Sequence, residues 1–206
     1  MSTAAFKSGA WDKAKWLLLI VPLLYVVLTM GIPLLDIKGL LPEEDIQNMI
    51  DTVVARGGYV KDLHGAKNVY YQVNATYYSA LGESDKTMET ARAIQLFMPG
   101  KPQIWYLDLF AGKNDYEAME KAGVGGHKEI NRSNLSLEQI ETLLQKDVVK
   151  KQLDLLRFRN TCPVFTEDAD IRVDCDGSQM SITWTNAHGT VSLHADFEAE
   201  TYEIKS

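Results

Sequence analysis

Two short runs carry the side chains best suited to grip a small polar ligand. In YYQVN, Tyr71 precedes Gln72, whose amide joins donor and acceptor in a way that suits a sugar hydroxyl or equally fastens a loop. In EINR, Arg132 offers a planar guanidinium that can hold a phosphate through two parallel bonds, with a structural ion pair as the alternative. His64, His127, His188 and His194 show no metal-ligand spacing, and His194 falls on the polar side of an alternating run, where it reads as solvated. The two cysteines, Cys162 and Cys175, form no CxxC pair and read as reduced cytoplasmic thiols. Asp108 and Asp115 are acidic enough to invite a catalytic role, yet Asp115 in AGKND has the setting of a loop or cap residue. Tyr70, Tyr71, Tyr77 and Tyr78 read as packing rather than as a stacking platform for sugars.

A chain of 206 residues holds one domain, or one and a small second one. With 46% hydrophobic and 24% charged residues it can bury an ordinary core. Its formal net charge of −7 and the lack of any basic block argue against a nucleic-acid partner.

The elements that would position these side chains follow from periodicity. PEEDIQNMIDTVVAR places Ile46, Met49, Ile50, Val53 and Val54 on one helix face, with Pro42 in the first turn and Glu43, Glu44 and Asp45 facing the positive end of the helix dipole. The glycine-flanked RGGYVKDLHGAKNVYYQV has hairpin character. A buried helix is expected over residues 87–98, and the apolar QIWYLDLF after PGKP suits a strand buried on both faces. AGKNDYEAMEKAGVGGHKEINRSN reads as a long polar connection. Ser136 and Gln139 form a capping-box pattern, and DVVKKQLDLLRFRN predicts a helix with Val149, Leu153 and Leu156 inward. Beyond Pro163 the period becomes two. Ile171, Val173 and Cys175, then Met180, Ile182 and Trp184, then Val191, Leu193, Ala195 and Phe197, alternate with polar residues. The parity slips before Tyr202 and Ile204, which predicts a turn near Glu198 to Glu200 and an antiparallel sheet of about four strands.

Five runs in fixed order carry a resemblance: DIKGLLPEEDI, YQVNATYYSAL, ARAIQLFMPGKPQIWYLDLFAGKND, EINRSNLSLEQIE and VVKKQLDLLRFRN. In this order and spacing the chain resembles sucrose phosphorylase and its relatives in the α-amylase superfamily of (β/α)8 barrel enzymes. The resemblance implies an α/β fold, the C-terminal part of a (β/α)8 barrel over residues 1–160 followed by a small antiparallel β domain over 161–206. It implies phosphorolysis of an α-glucoside such as sucrose to glucose 1-phosphate with retention, which needs two carboxyl groups about 5 Å apart. Sugar and inorganic phosphate are the implied partners, and neither a metal nor an organic cofactor is implied. Tyr71 and Gln72 match the motif that borders the acceptor subsite, and Arg132 matches the arginine near the phosphate and fructosyl position.

The departures matter as much. Val69 stands where the family often has aspartate, and Ser133, Asn134 and Leu135 stand where it often reads His-Tyr-Tyr, so sucrose itself is in doubt. By register the chain begins after the strands that carry the nucleophile and the acid/base, and Thr29, Met30 and Gly31 occupy the expected Thr-His-Asp-Gly position. No catalytic carboxylate is therefore assigned, and the chain alone is expected to be inactive. The uncharged WLLLIVPLLYVVLTMGIPLL, residues 16–35, fits the helix and strand that lead into the barrel. Its length also suits a membrane span, which leaves a membrane-anchored or carbohydrate-binding remnant as the alternative to a cytoplasmic enzyme fragment.

Overall fold

The computed structural model describes residues 41–62 and 70–206. Helix α1, Glu43–Ala55, starts at Pro42 with three acidic residues in its first turn and buries Met49, Ile50 and Val53. Val54, expected on that face, is 45% exposed, because the buried stripe is narrower than the pattern suggested. The helix ends at Gly57, whose φ of 87° favours glycine and where a Cβ would lie 2.0 Å from the Tyr116 hydroxyl. Strands β1, Tyr59–Asp62, and β2, Tyr70–Asn74, pair antiparallel with Val60 opposite Val73, which is the expected hairpin.

The short helix α2, Tyr77–Ala80, is capped by Thr76, and α3, Asp85–Phe97, by Ser84. Eleven of the thirteen residues of α3 are buried, so it runs through the interior. QIWYLDLF does not form the expected strand. Its second half is helix α4, Tyr106–Leu109, and residues 101–105 find no ladder partner among the described residues. An apolar run without alternation is compatible with either state, and here the backbone closes a turn instead of a ladder. The supposed polar connection is also ordered. It contains α5, Tyr116–Ala122, and a 3-10 helix, Gly126–Asn131. Helix α6, Leu137–Leu143, opens with both bonds of the Ser136 and Gln139 capping box.

Helix α7, Asp147–Thr161, packs along α3 but turns a different face inward than expected. Val148, Val149, Gln152 and Leu155 are buried, while Leu153 and Leu156 are half-buried. The cause is polar. Gln152 accepts from Arg92 Nε at 2.8 Å and donates to the Leu109 carbonyl at 3.0 Å, so an amide occupies the centre of the packed face.

The tail is a four-stranded antiparallel meander: β3, Asp170–Asp176; β4, Gln179–Asn186; β5, Gly189–Asp196; and β6, Thr201–Lys205. Gly177, at φ 59°, makes the tight turn after β3. The predicted slip is real: Asp196 binds the amides of Glu198 and Ala199 at 2.8 and 2.9 Å, and Tyr202 then lies opposite Ala195. Met180, Ile182, Trp184, Val191, Leu193, Ala195 and Phe197 are buried, whereas Val173 on the edge strand β3 is 43% exposed. The buried face lies on α3, where Trp184 Nε1 donates to the Phe97 carbonyl at 2.7 Å and Phe165 sits edge-on to both rings. Helices and sheet therefore share one continuous core.

Candidate functional site

The site is assembled where β2 ends. Past Asn74 the chain must turn into α2, and that corner is held by Asn114. Its Oδ1 accepts from the buried Thr76 amide at 2.7 Å, its own amide donates to Ser79 Oγ at 3.0 Å, and its Nδ2 donates to the Gly57 carbonyl at 3.1 Å. The side chain thus ties the end of α1 to the start of α2, and the backbone N–H adds Ser79. The next residue, Asp115, caps α5 by accepting from the Ala118 amide at 2.8 Å, the cap role expected of it.

The 3-10 helix lies over the hairpin, with His127 stacked on Tyr59 at 6.0 Å between ring centroids. It delivers Asn131, Arg132 and Ser133 beside the end of β2. Asn131 Nδ2 donates to the Ala75 carbonyl at 3.3 Å, and Trp105 Nε1 donates to the Asn131 carbonyl, also at 3.3 Å. On the other side of Arg132, the Tyr106 hydroxyl donates to the Ser133 carbonyl, and Ser133 Oγ donates to Asp115 Oδ2 at 2.7 Å. These two bonds to Asp115, from the Ser133 hydroxyl and the Ala118 amide, hold its carboxyl below the usual carboxylate range. The Arg132 side chain is 42% exposed, with Glu129 Oε1 at 3.5 Å from its guanidinium as its ion-pair contact. A contact that long and that wet is weak.

Tyr71 and Gln72 have their backbone in β2, Gln72 opposite Lys61; their side chains lie outside the described residues. The fold therefore brings the Arg132 loop to the end of the strand that carries them. Positions 29–31 and 16–35 lie outside the described residues, as does His64. Among the described residues no helix is long and apolar enough to cross a membrane. His194 is exposed on β5 beside Ser192, as read from the sequence.

Behind the site lies a polar cluster that pattern reading missed. Arg92, Tyr77 and Asp108 are fully buried, with the Arg92 guanidinium 5.0 Å from the centre of the Tyr77 ring and also bonded to Gln95 and Gln152. Asp108 accepts from the Tyr77 amide at 2.8 Å, and burial pushes its carboxyl up to about 7 despite that bond and the charge of Arg92. Burial likewise raises the Tyr77 phenol and lowers the Arg92 guanidinium. With no exposure to solvent, Asp108 is part of the packed interior. The signal that could have found it is the clustering of Arg92, Gln95 and Asp108 in otherwise apolar runs.

A helical layer joined to a terminal antiparallel sheet is the C-terminal part of an α/β barrel fold. No protein-family model matches the chain. Sucrose 6(F)-phosphate phosphorylase of Ilumatobacter coccineus is 49% identical over 84% of this chain and 35% of its own length. Sucrose phosphorylase of Bifidobacterium adolescentis is 40% identical over 81% of the chain and 34% of its own length. Glucosylglycerol phosphorylase of Marinobacter adhaerens is 35% identical, over 84% and 37%. The crystal structure of sucrose 6F-phosphate phosphorylase from Thermoanaerobacter thermosaccharolyticum superposes with a TM-score of 0.79 at 33% identity, covering 93% of this chain and 44% of that one. The chain is thus a homologue of the C-terminal part of the sucrose phosphorylases. It spans about a third of the length of the curated relatives it matches.

Proposed function

We propose that this chain supplies the acceptor and phosphate side of a sucrose phosphorylase-type glucosyltransferase, which cleaves an α-glucoside with phosphate to give glucose 1-phosphate. The observation that carries the reading is Arg132: its backbone is fixed through both neighbours while its guanidinium stays solvated beside a weak carboxylate contact. A planar cation so placed suits a phosphate held bidentately. Tyr71 and Gln72 border the acceptor in this reading, and the names of the relatives favour sucrose or its 6-phosphate as the glucoside. Residues 1–160 are then the last units of the barrel and 161–206 the β domain. The thiols Cys162 and Cys175 are free, which fits a cytoplasmic setting.

The test is complementation. The chain is co-expressed with the part of the Thermoanaerobacter enzyme that precedes the superposed region, and glucose 1-phosphate release is assayed with sucrose and with sucrose 6-phosphate. Phosphate-dependent release that disappears in Arg132→Ala is expected. Release that persists unchanged in that variant would overturn the assignment of Arg132.

A further inference from the structure

We propose that Ser133 is a positioning residue for phosphate, acting through its hydroxyl bond to Asp115 to fix the direction in which Arg132 leaves the backbone. The inference rests on the phosphate reading of Arg132 above. Arg132 leaves the 3-10 helix at φ −126° and ψ 20°, outside both the helical and the strand basins, so nothing regular determines where its side chain points. Its direction is determined by its neighbours. Asn131 is anchored by two bonds, to the Ala75 carbonyl and from Trp105. Ser133 is also anchored by two, one from Tyr106 to its carbonyl and one from its own hydroxyl to Asp115.

The four anchors are unlike one another. Two use the backbone carbonyls of Asn131 and Ser133 and so tolerate many side chains there, and a third needs the Asn131 side-chain amide on the Ala75 carbonyl. The fourth is a bond between a hydroxyl and a carboxylate, 2.7 Å long, and it requires the serine oxygen. It is also the bond that ties the arginine loop to the cap of α5, because the other oxygen of Asp115 holds the Ala118 amide. The Asp115 amide in turn donates to the Ile130 carbonyl at 2.8 Å, so the latch closes on the same loop from both sides. Without the hydroxyl, the segment after Arg132 keeps a single anchor, and a mobile guanidinium loses more entropy on binding an anion.

Inorganic phosphate is titrated into the whole chain and binding is measured by calorimetry in every variant, with the Arg132 Nε–Hε resonance followed by NMR where Arg132 is present. Ser133→Val and Ser133→Thr have the same shape and differ in the hydroxyl, and thermal midpoints report whether each folds. The expected result is phosphate affinity weakened by about tenfold in Ser133→Val, equivalent to ~1.4 kcal/mol, and recovered to within about twofold in Ser133→Thr. Arg132→Ala should abolish binding. Equal affinity in the valine and threonine variants, with binding still lost in Arg132→Ala, overturns the latch and leaves the phosphate reading intact. Absence of saturable binding in the wild-type chain overturns both.

Discussion

At the scale of single residues, Asp108 makes the sharpest prediction. Its carboxyl sits at about 7 in the folded protein, against ~3.9 in an unfolded chain, because burial outweighs the Tyr77 amide and the nearby Arg92 charge. The sign follows from proton uptake. Between about pH 4 and pH 7 the native state holds a proton that the unfolded state has released. The stability contributed by neutral Asp108 is therefore fully present below about pH 4, falls as pH rises, and is gone by about pH 7. The slope cannot exceed ~1.4 kcal/mol per pH unit. Asp108→Asn keeps an oxygen for the Tyr77 amide and cannot ionise. Urea midpoints at pH 5 and pH 8 should therefore separate less in the variant than in the wild type. Equal separations would show that the carboxyl does not titrate in that window.

At the scale of elements, the prediction concerns Asn114, whose side-chain amide ties the end of α1 to the start of α2 through Gly57 and Thr76. Asn114→Ala leaves the Thr76 amide buried without an acceptor, a loss of about 1–3 kcal/mol from the desolvated donor alone. Gly57 keeps the Tyr116 hydroxyl on its carbonyl at 3.1 Å, so the end of α1 should hold. Asn114→Asp retains the acceptor for Thr76 and should lose less. Urea unfolding with an unchanged m-value would report both, and a loss below about 0.5 kcal/mol in the alanine variant would mean that the corner is held otherwise. The same residue shows what could be read in advance. Local signals were legible: the capping box at Ser136, the cap at Asp115, the hairpin, and the register of the meander including its slip. Features that depend on distant partners were not. Residues 106–109 became a helix because an apolar run without alternation does not distinguish the two states. The inner face of α7 shifted because Gln152 is buried against Arg92, whereas patterning assigns amides to the outside. At the site, Ser133 enters the sequence reading only as a departure from the motif around Arg132. Its bond to Asp115 spans eighteen positions and leaves no periodic trace.

At the scale of the whole molecule, the question is what a chain spanning about a third of its relatives can do. Its helices and sheet share a core, so it is built to present a surface, and Arg132 lies on that surface. Binding and chemistry are separable, however. Glucosyl transfer with retention needs a nucleophile, an acid/base about 5 Å from it, and stabilisation of an oxocarbenium-like transition state. Among the described residues Asp108 is sealed in the core, and Asp115 is engaged by Ser133 and Ala118. Neither can approach a sugar as nucleophile or acid. In the proposed reading Arg132 holds phosphate, but holding a substrate equally in ground and transition states does not lower the barrier. Loss of even one member of a cooperating catalytic set costs several orders of magnitude. The chain on its own should therefore release no glucose 1-phosphate from sucrose or sucrose 6-phosphate above the buffer rate, even at phosphate concentrations that saturate the Arg132 resonance. The assay is run with Arg132→Ala beside the wild type to expose contaminating activity, which would be the same in both. Sustained release by the wild type that vanishes in the variant would mean that the chain carries a catalytic pair of its own.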